Sequence, residues 1–521
     1  MLVVEDKQAL VMQLKNATRV LTAVPTAAPL YLGDKQLTTV HHGIDEVRVL
    51  RNLGIDAPSP IMYYYDWPGR FAPFEHQKAT AAFLTLTQRG LVLNEIGTGK
   101  SNSALWAADY LMNEGHAKRV LIVSPLSTLE RVWHDAIFEH LSHRTAVVLY
   151  GSAARRKKML AHDADFYIIN HDGFSILSNQ MNDMFDIVIV DEAAVYRNPS
   201  TKRFKMLRKW MDNQPATTRL WLMTGTPTPN EPTDAWALAK LVNSPFIPPS
   251  YHAFREQVMF KHGMYTWLPR PNSAELVKDV LQPSVRYTRD ECLDLPDTIV
   301  QARRAELTAE QEKHYKDMVR NLVTEAAAGT ITAANEAVKL QKLIQIACGV
   351  AYDTKGKHLQ LDCSPRINLV KEIIEEAGEK VIIFVPLTGT LNMLEQELSK
   401  KWTVAVVNGA VSAAKRNVIF DDFQSKPDPR VLIAHPATMA HGLTLTAAST
   451  IIWYGPINSN EQYTQANGRI ERTGKKHTSN VIHIESTTLE RKMYTRLANK
   501  QKLQRVLLDL ISDYANGVID V

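Results

Sequence analysis

The chain has 521 residues, 45% of them hydrophobic and 22% charged, with a formal net charge of +5, a balance that describes globular protein and excludes a fibre, a disordered tail or a single small binding module. No apolar run approaches the roughly 18 residues of a membrane span, Glu5 and Asp6 stand where a secretory signal carries basic residues, and Cys292, Cys348 and Cys363 are too few and scattered for a disulfide framework or a four-cysteine zinc site. The reading is a cytoplasmic, monomeric protein of about three domains with no structural metal, whose small excess of positive charge permits a polyanionic partner without demanding one.

Residues 1–70 contain turns and two prolines in a Thr/Ala-rich stretch, and read as a small accessory domain. From 71 to 244, short β-rich apolar runs alternate with helical or polar segments: Leu91–Leu93, Val120–Val123, Tyr167–Ile169, Ile187–Val190 and Leu220–Met223. This is the pattern of a parallel sheet built from βα units. Ser244-Pro245-Phe246-Ile247-Pro248-Pro249 marks the entrance to a stretch, 245–375, where strands become sparse and Ala309–Ala328 and Ala334–Ala347 read as helices. A second series follows in 376–521, with Val381–Val385, Val404–Val407, Val431–Ala434, Ile451–Tyr454 and Val481–Ile484. The fold class predicted is α/β: two parallel-sheet lobes separated by a mainly helical insertion.

The sharpest chemical signal is Asn94-Glu95-Ile96-Gly97-Thr98-Gly99-Lys100-Ser101, which follows the first strand and precedes a helical run at Ala104–Ala108. Strand before and helix after are the context a phosphate-binding loop requires. Gly97, Thr98 and Gly99 turn backbone N–H groups toward a polyphosphate, Lys100 neutralises it, and the Ser101 hydroxyl suits magnesium. The strict pattern has Gly where Asn94 stands. The fourth strand ends in Asp191-Glu192-Ala193-Ala194, at the carboxyl edge of the sheet where open α/β folds do their chemistry. Asp191 is placed to hold Mg²⁺ through water, and Glu192 to polarise the attacking water of an ATP hydrolysis.

With these motifs together the chain resembles a superfamily-two helicase motor of the Swi/Snf-like branch, over residues from about 70 to 510, a likeness that implies two RecA-like lobes. Phe74-Glu75-His76-Gln77 resembles the adenine-reading motif, which implies Gln77 on the base. Ser124 to Leu129, followed by Trp133, resembles the motif that touches the DNA backbone, and Thr224-Gly225-Thr226-Pro227 through Asn230 the motif that couples hydrolysis to strand contact. Asp191 to Asn198 is similar to the acidic box with its trailing Arg-Asn. Arg286 to Pro296 and Leu307-Thr308-Ala309-Glu310-Gln311 with Tyr315 resemble the branch's own insertion. In the second lobe the likeness runs through Gly409 and Arg416 to His441–Thr446, then to Gln465-Ala466-Asn467-Gly468-Arg469-Ile470-Glu471-Arg472. It implies Arg469 and Arg472 as arginine fingers, three apart on one helix face, and Ser127, Thr128, Thr444 and Thr446 as contacts to DNA phosphates. Two departures stand out: the box's usual His is Ala194, and the usual Gly-Gln is Gly474-Lys475.

Two basic clusters carry less. Lys202, Arg203, Lys205, Arg208 and Lys209 share a stretch in which Phe204, Leu207 and Trp210 recur as an apolar face, so an amphipathic helix with a solvated basic side competes with a DNA contact. Arg155-Arg156-Lys157-Lys158 leaves the same choice open. The functional expectation is a DNA-dependent ATPase that tracks along duplex DNA without reading sequence, using ATP and Mg²⁺. A strand-separating DNA or RNA helicase is the alternative, and an inactive DNA-binding scaffold is disfavoured by the presence of Lys100, Asp191, Glu192 and Arg472. Asn408-Gly409 is the nearest candidate for a strand-splitting hairpin, but Ala410 to Phe423 after it reads as a helix. The compact chain favours a bacterial or phage setting.

Overall fold

The structure, a computed structural model, describes residues 1–262, 267–292, 298–327, 333–352, 358–439, 445–470 and 478–498. The chain divides into two compact units, Met1–Leu293 and Asp294–Val521.

The first unit begins with a four-stranded antiparallel sheet, β1 (Leu2–Val4), β2 (Ala9–Met12), β3 (Ala28–Leu32) and β4 (Lys35–His41), in the order β1-β2-β4-β3. The helix Ile44–Asn52 covers it, burying Val47 and Leu50 against Leu10, Met12 and Val40. Its main sheet contains β5 (Arg89–Val92), β6 (Val120–Ser124), β7 (Ala146–Val148), β8 (Phe166–Asn170), β9 (Ile187–Val190) and β10 (Arg219–Met223). Beyond a short hairpin, β11 (Met259–Lys261) with β12 (Trp267–Pro269), the two-residue β13 (Ser284–Val285) joins the same sheet. The order is β13-β5-β10-β9-β6-β8-β7, parallel throughout. All five strands read from the sequence are present, and β7 and β13 extend them at the two edges.

Unbroken apolar runs form these strands because both faces are covered. Leu121, Val123, Val188, Val190, Leu220 and Leu222 enter one core, while Val120, Ile122, Ile187, Ile189, Trp221 and Met223 enter the other. That is the period-two alternation of a strand buried on both sides.

The second unit repeats the plan. β14 (Thr298–Arg304) lies at one edge; β15 (Val350–Tyr352) and β16 (His358–Gln360) form a separate hairpin; β17 (Lys380–Phe384), β18 (Val404–Val407), β19 (Val431–Ala434), β20 (Ala448–Trp453) and β21 (Ser479–Glu485) complete the parallel order β14-β21-β20-β17-β19-β18. The helices Ala309–Ala327 and Ala333–Ala347 fall where the sequence places them. After Asn408 the chain enters the helix Ala413–Ser425, so no hairpin forms there. No helix among the described residues is long and apolar enough to cross a membrane.

One polar group organises this unit's interior. Arg366 and Glu490 form an ion pair at 2.7 Å with side chains 1% and 0% exposed. The guanidinium also donates to Tyr454 O, Ile484 O, Ala347 O and Ser486 Oγ, so one side chain ties the ends of β20, β21 and two helices. Burial alone would lower its pKa; the Glu490 carboxylate reverses this and the net shift is upward. A buried pair broken on one side leaves an uncompensated charge costing roughly 3–5 kcal/mol. Glu490→Gln is therefore expected to lower the unfolding free energy of the second unit by about that amount in urea, and a loss below ~1 kcal/mol would show that the pair does not hold these ends together.

Candidate active site

Three loops leave the carboxyl edge of the first unit's main sheet from neighbouring strands: the loop after β5, the loop after β10 and the loop after β9. The first is Leu93–Gly99, ending where the helix Lys100–Asn113 begins. Gly97 (φ +91°) and Gly99 (φ +79°) take left-handed conformations that other residues rarely adopt. A Cβ on Gly99 would overlap the amide nitrogen of Gln77. The loop thus turns as a phosphate cradle must, with backbone amides at a helix N-terminus.

Lys100 Nζ donates to Asn94 O (2.8 Å) and Glu95 O (3.0 Å). Gln77 is buried; its Nε2 donates to Thr98 O at 3.1 Å and its Oε1 accepts from Phe74 N at 3.0 Å. His76 Nε2 meets the same Thr98 carbonyl at 2.8 Å. Gln77, expected on a base, is in this structure a support of the loop. Asn94, the departure from the strict pattern, is 1% exposed and fully used: Nδ2 donates to Thr80 Oγ1 (2.9 Å) and Oδ1 accepts from Tyr287 N (3.1 Å). Ser101, the second residue of the helix, is half-buried.

Asp191 follows β9 and its amide donates to Val123 O at 2.8 Å, prolonging the β9–β6 ladder. Its Oδ2 accepts from the indole N–H of Trp133 (3.2 Å), and its Oδ1 from Glu192 N (3.0 Å). Burial pushes the Asp191 carboxyl upward in pKa, opposed by the nearby Lys100 charge and these two hydrogen bonds. Glu192 sits at φ +49°, an uncommon conformation for a residue with a side chain. Ala194 is buried, and its carbonyl accepts from Arg197 Nη1 at 3.0 Å.

The third loop starts at Thr224, whose amide donates to Val92 O (3.0 Å) and whose Oγ1 accepts from Thr226 N (3.2 Å). Gly225 lies against the phosphate loop: its Cβ would stand 3.4 Å from Asn94 O and Ile96 N. Further along, Asp234 Oδ2 accepts from Asn230 N (3.0 Å) and Glu231 N (3.2 Å) and faces Arg197 Nε at 3.8 Å. With its amide turned to meet the guanidinium, Asn230 accepts from Arg197 at 3.2 Å. Burial raises the Asp234 pKa, and the two amides and Arg197 oppose it. The acidic loop and the threonine loop are thereby joined.

Sequence reasoning missed this Arg197–Asp234 link, the Trp133–Asp191 bond and the clasp at Asn94, because each partner lies in another element. The structure also places the other groups singled out in the sequence. Trp133, grouped with DNA contacts, is fully buried on the carboxylate. Ser127 is exposed, but Thr128 is buried, its hydroxyl donating to Pro125 O at 2.9 Å. Arg156 is buried and donates to Gly151 O, Leu149 O and Asn170 Oδ1, which leaves Arg155, Lys157 and Lys158 as the exposed cations of that cluster. The helix Lys202–Asp212 buries Phe204, Leu207 and Trp210 as its pattern requires, with Arg203 paired to Asp172 and Arg208 to Asp212. In the second unit the helix Asn460–Asn467 stops at Gly468, so Arg469 lies beyond it; its side chain is buried and its carbonyl accepts from Leu445 N at 3.0 Å. Thr446 is half-buried and accepts from Gln424 Nε2 at 3.1 Å. Thr444 and Arg472 lie outside the described residues.

Lys100 and Asp191 are electrostatic neighbours, and the glycine turn packs so closely on Gln77 that a Cβ on Gly99 would overlap it. These residues suit a magnesium-bound polyphosphate: Gly97 to Lys100 at the phosphates, Ser101 and Asp191 toward the metal.

The family model for the SNF2-related domain matches residues 76–349, and that for the helicase conserved C-terminal domain matches residues 365–474. A protein, p41, of Acyrthosiphon pisum secondary endosymbiont phage 1 is 25% identical over 471 residues, covering 84% of this chain and 98% of its own. The Arabidopsis thaliana ATP-dependent DNA helicase DDM1 is 24% identical, covering 80% of this chain and 59% of its own, and the CHD3-type chromatin-remodeling factor CHR7 of the same plant is 23% identical, covering 80% and 36%. The chain thus spans nearly all of the phage protein but well under two thirds of the plant relatives. The Sulfolobus solfataricus SWI2/SNF2 ATPase core in complex with dsDNA aligns over 85% of this chain and 93% of that one, with a TM-score of 0.41 and 23% identity.

The two loop glycines give a test of the cradle. Gly99→Ala meets both the left-handed backbone and the Gln77 amide, and is expected to cost roughly 1–3 kcal/mol of stability and to weaken binding of a fluorescent adenine nucleotide. Gly225→Ala, whose Cβ has ordinary contacts at 3.4 Å and above, should be milder in both measurements.

Proposed function

Because this chain belongs to the SNF2-related family, we propose that it is a DNA-dependent ATPase motor that translocates on duplex DNA. The observation that carries the reading is the convergence of Lys100, Asp191 and Glu192 on one sheet edge, from the loops after β5 and β9. Phosphoryl transfer asks for positioning and charge neutralisation more than covalent help, and this edge offers a lysine, a buried carboxylate and a second carboxylate on a constrained backbone.

Each residue takes a role from its chemistry. Lys100 leaves backbone carbonyls to meet the β and γ phosphates, while Ser101 and Asp191 hold Mg²⁺, Asp191 through water. Glu192 orients the attacking water and takes its proton. Gln77 reads the adenine from its place beside Thr98. Mg-ATP, when bound, supplies the anhydride whose cleavage drives the cycle. Arg469 and Arg472 are assigned as arginine fingers on the family motif, with charge at the γ-phosphate as what they would stabilise. Ser127, Thr444 and Thr446 contact DNA phosphates, which suits binding that ignores sequence, while Thr128, whose amide and hydroxyl both donate to Pro125 O, shapes the loop that carries Ser127. One relative, DDM1 of Arabidopsis thaliana, is named as a DNA helicase, which fits a DNA substrate. At Asn408-Gly409, the nearest candidate for a strand-splitting hairpin, β18 runs instead into the helix Ala413–Ser425, which favours tracking over unwinding.

Lys100→Ala and Glu192→Gln are expected to reduce ATP turnover by orders of magnitude with the fold intact by circular dichroism. Arg472→Ala should still bind nucleotide but hydrolyse it about 10³ to 10⁵ times more slowly, the usual worth of an arginine finger. Normal turnover in any of the three removes that residue's role.

The substrate is tested separately. Blunt duplex DNA should stimulate the ATPase, the stimulation should fall steeply with salt as released counterions are replaced, and ATP should drive displacement of a third strand from the major groove with little opening of a forked duplex. Efficient fork unwinding without stimulation by blunt duplex would make the protein a strand-separating helicase, and stimulation by RNA alone would replace the substrate.

A further inference from the structure

The segment from Pro283 to Arg289 runs beside β5 and past its end, onto the flank of the phosphate loop. Leu91 N donates to Pro283 O (3.0 Å), Leu93 N to Val285 O (2.8 Å) and Glu95 N to Tyr287 O (2.9 Å). The parallel register of β13 on β5 therefore continues two residues into the loop itself. Asn94 locks it with its side chain, accepting from Tyr287 N and donating to Thr80 Oγ1. Thr80 in turn donates to His76 O at 2.7 Å. Glu95 adds a carboxylate, its Oε2 accepting from Arg289 N at 3.2 Å. The ring of His76 stands 5.9 Å from that of Tyr287. Asn94 is sealed from water, so its bonds are costly to leave unmade.

The same two residues hold Lys100. Its ammonium sits on the carbonyls of Asn94 and Glu95, and a lysine that turns to neutralise phosphates must release both. Asn94 and Glu95 thus meet Lys100 through their carbonyls and the segment 283–289 through other groups. That segment leads directly to Leu293, where the first compact unit ends and the second begins at Asp294.

We propose that Asn94 and Glu95 are positioning residues that relay occupancy of the phosphate site to the segment Pro283–Cys292, the chain's route out of the first unit. The proposal rests on the nucleotide-site reading above. It also accounts for Asn at a position where the strict phosphate-loop pattern has Gly. Glycine there would keep the carbonyl that Lys100 meets, but would have nothing to offer the Tyr287 amide.

The experiment is amide hydrogen exchange on the full chain, with and without Mg-ADP, beside a direct measurement of ADP affinity by calorimetry. In the wild type, ADP is expected to change exchange at Tyr287 and Arg289 by about tenfold, the scale of one hydrogen bond made or lost. In Asn94→Gly, ADP should still bind, while Tyr287 exchanges about tenfold faster and no longer responds to nucleotide. Asn94→Asp, which keeps the acceptor, should retain the response. Glu95→Ala, at a half-buried side chain, serves as the second variant should Asn94→Gly not fold; there the Arg289 response alone should vanish. ADP binding without any change at Tyr287 and Arg289 in the wild type, or a full response in Asn94→Gly or Glu95→Ala, overturns the relay and leaves the nucleotide site standing. Failure of the wild type to bind ADP removes the nucleotide site, and the relay with it.

Discussion

A carboxylate is held almost out of water at the end of a parallel strand, and the first unit is arranged around that cost. Asp191 is 9% exposed, and an isolated charge so placed would take up a proton. Three groups oppose this, each from a different place: Lys100 from the loop after β5, the Trp133 indole from the segment after β6, and the amide of Glu192. They reach it because β10 and β6 flank β9, with β5 beyond β10, all parallel, so every one of these loops leaves the same edge. Glu192 accepts a left-handed backbone, a conformation worth roughly 1–3 kcal/mol of strain. It is pinned on both sides, by Asp191 N on Val123 O and by Val195 N on its own carbonyl. Strain of this kind persists only where surrounding bonds over-determine it.

What could be read from the sequence was what is local. Ten strands announced themselves because parallel strands covered on both faces must be continuously apolar. The strands that escaped were those without that signature. β7 and β13 are three and two residues long, and β14 alternates Thr-Ile-Val-Gln-Ala-Arg-Arg with mostly exposed positions at a sheet edge. The N-terminal sheet escaped for the same reason: β3 buries almost nothing. In the site, Gly97 to Ser101 and Asp191-Glu192 were legible because their geometry is set within a few residues. The bond from Trp133 to Asp191 spans 58 positions and that from Asn94 to Tyr287 spans 193. No periodicity carries such partners. Arg366 is a further case, since a lone arginine near a proline gives no hint that it will be buried on Glu490.

The two departures from motif in the first unit look alike in the sequence and differ physically. Asn94 replaces a residue without a side chain by one whose donor and acceptor are both used, so it adds a tertiary connection to the phosphate loop. Ala194 does the reverse, replacing a polar ring by a methyl that is buried.

The acidic loop is joined to its neighbour by groups other than the side chain at 194. The Ala194 carbonyl receives Arg197, and Arg197 continues to Asp234 and Asn230, residues that follow the Thr224 turn. Half-buried Asp234 is raised in pKa by desolvation, opposed by two amides and that guanidinium. The link between the loop that carries Asp191 and the loop that begins at Thr224 therefore runs through backbone atoms and a charged pair three residues downstream. None of these contacts uses the side chain at 194, and both carboxylates keep their partners with a methyl there.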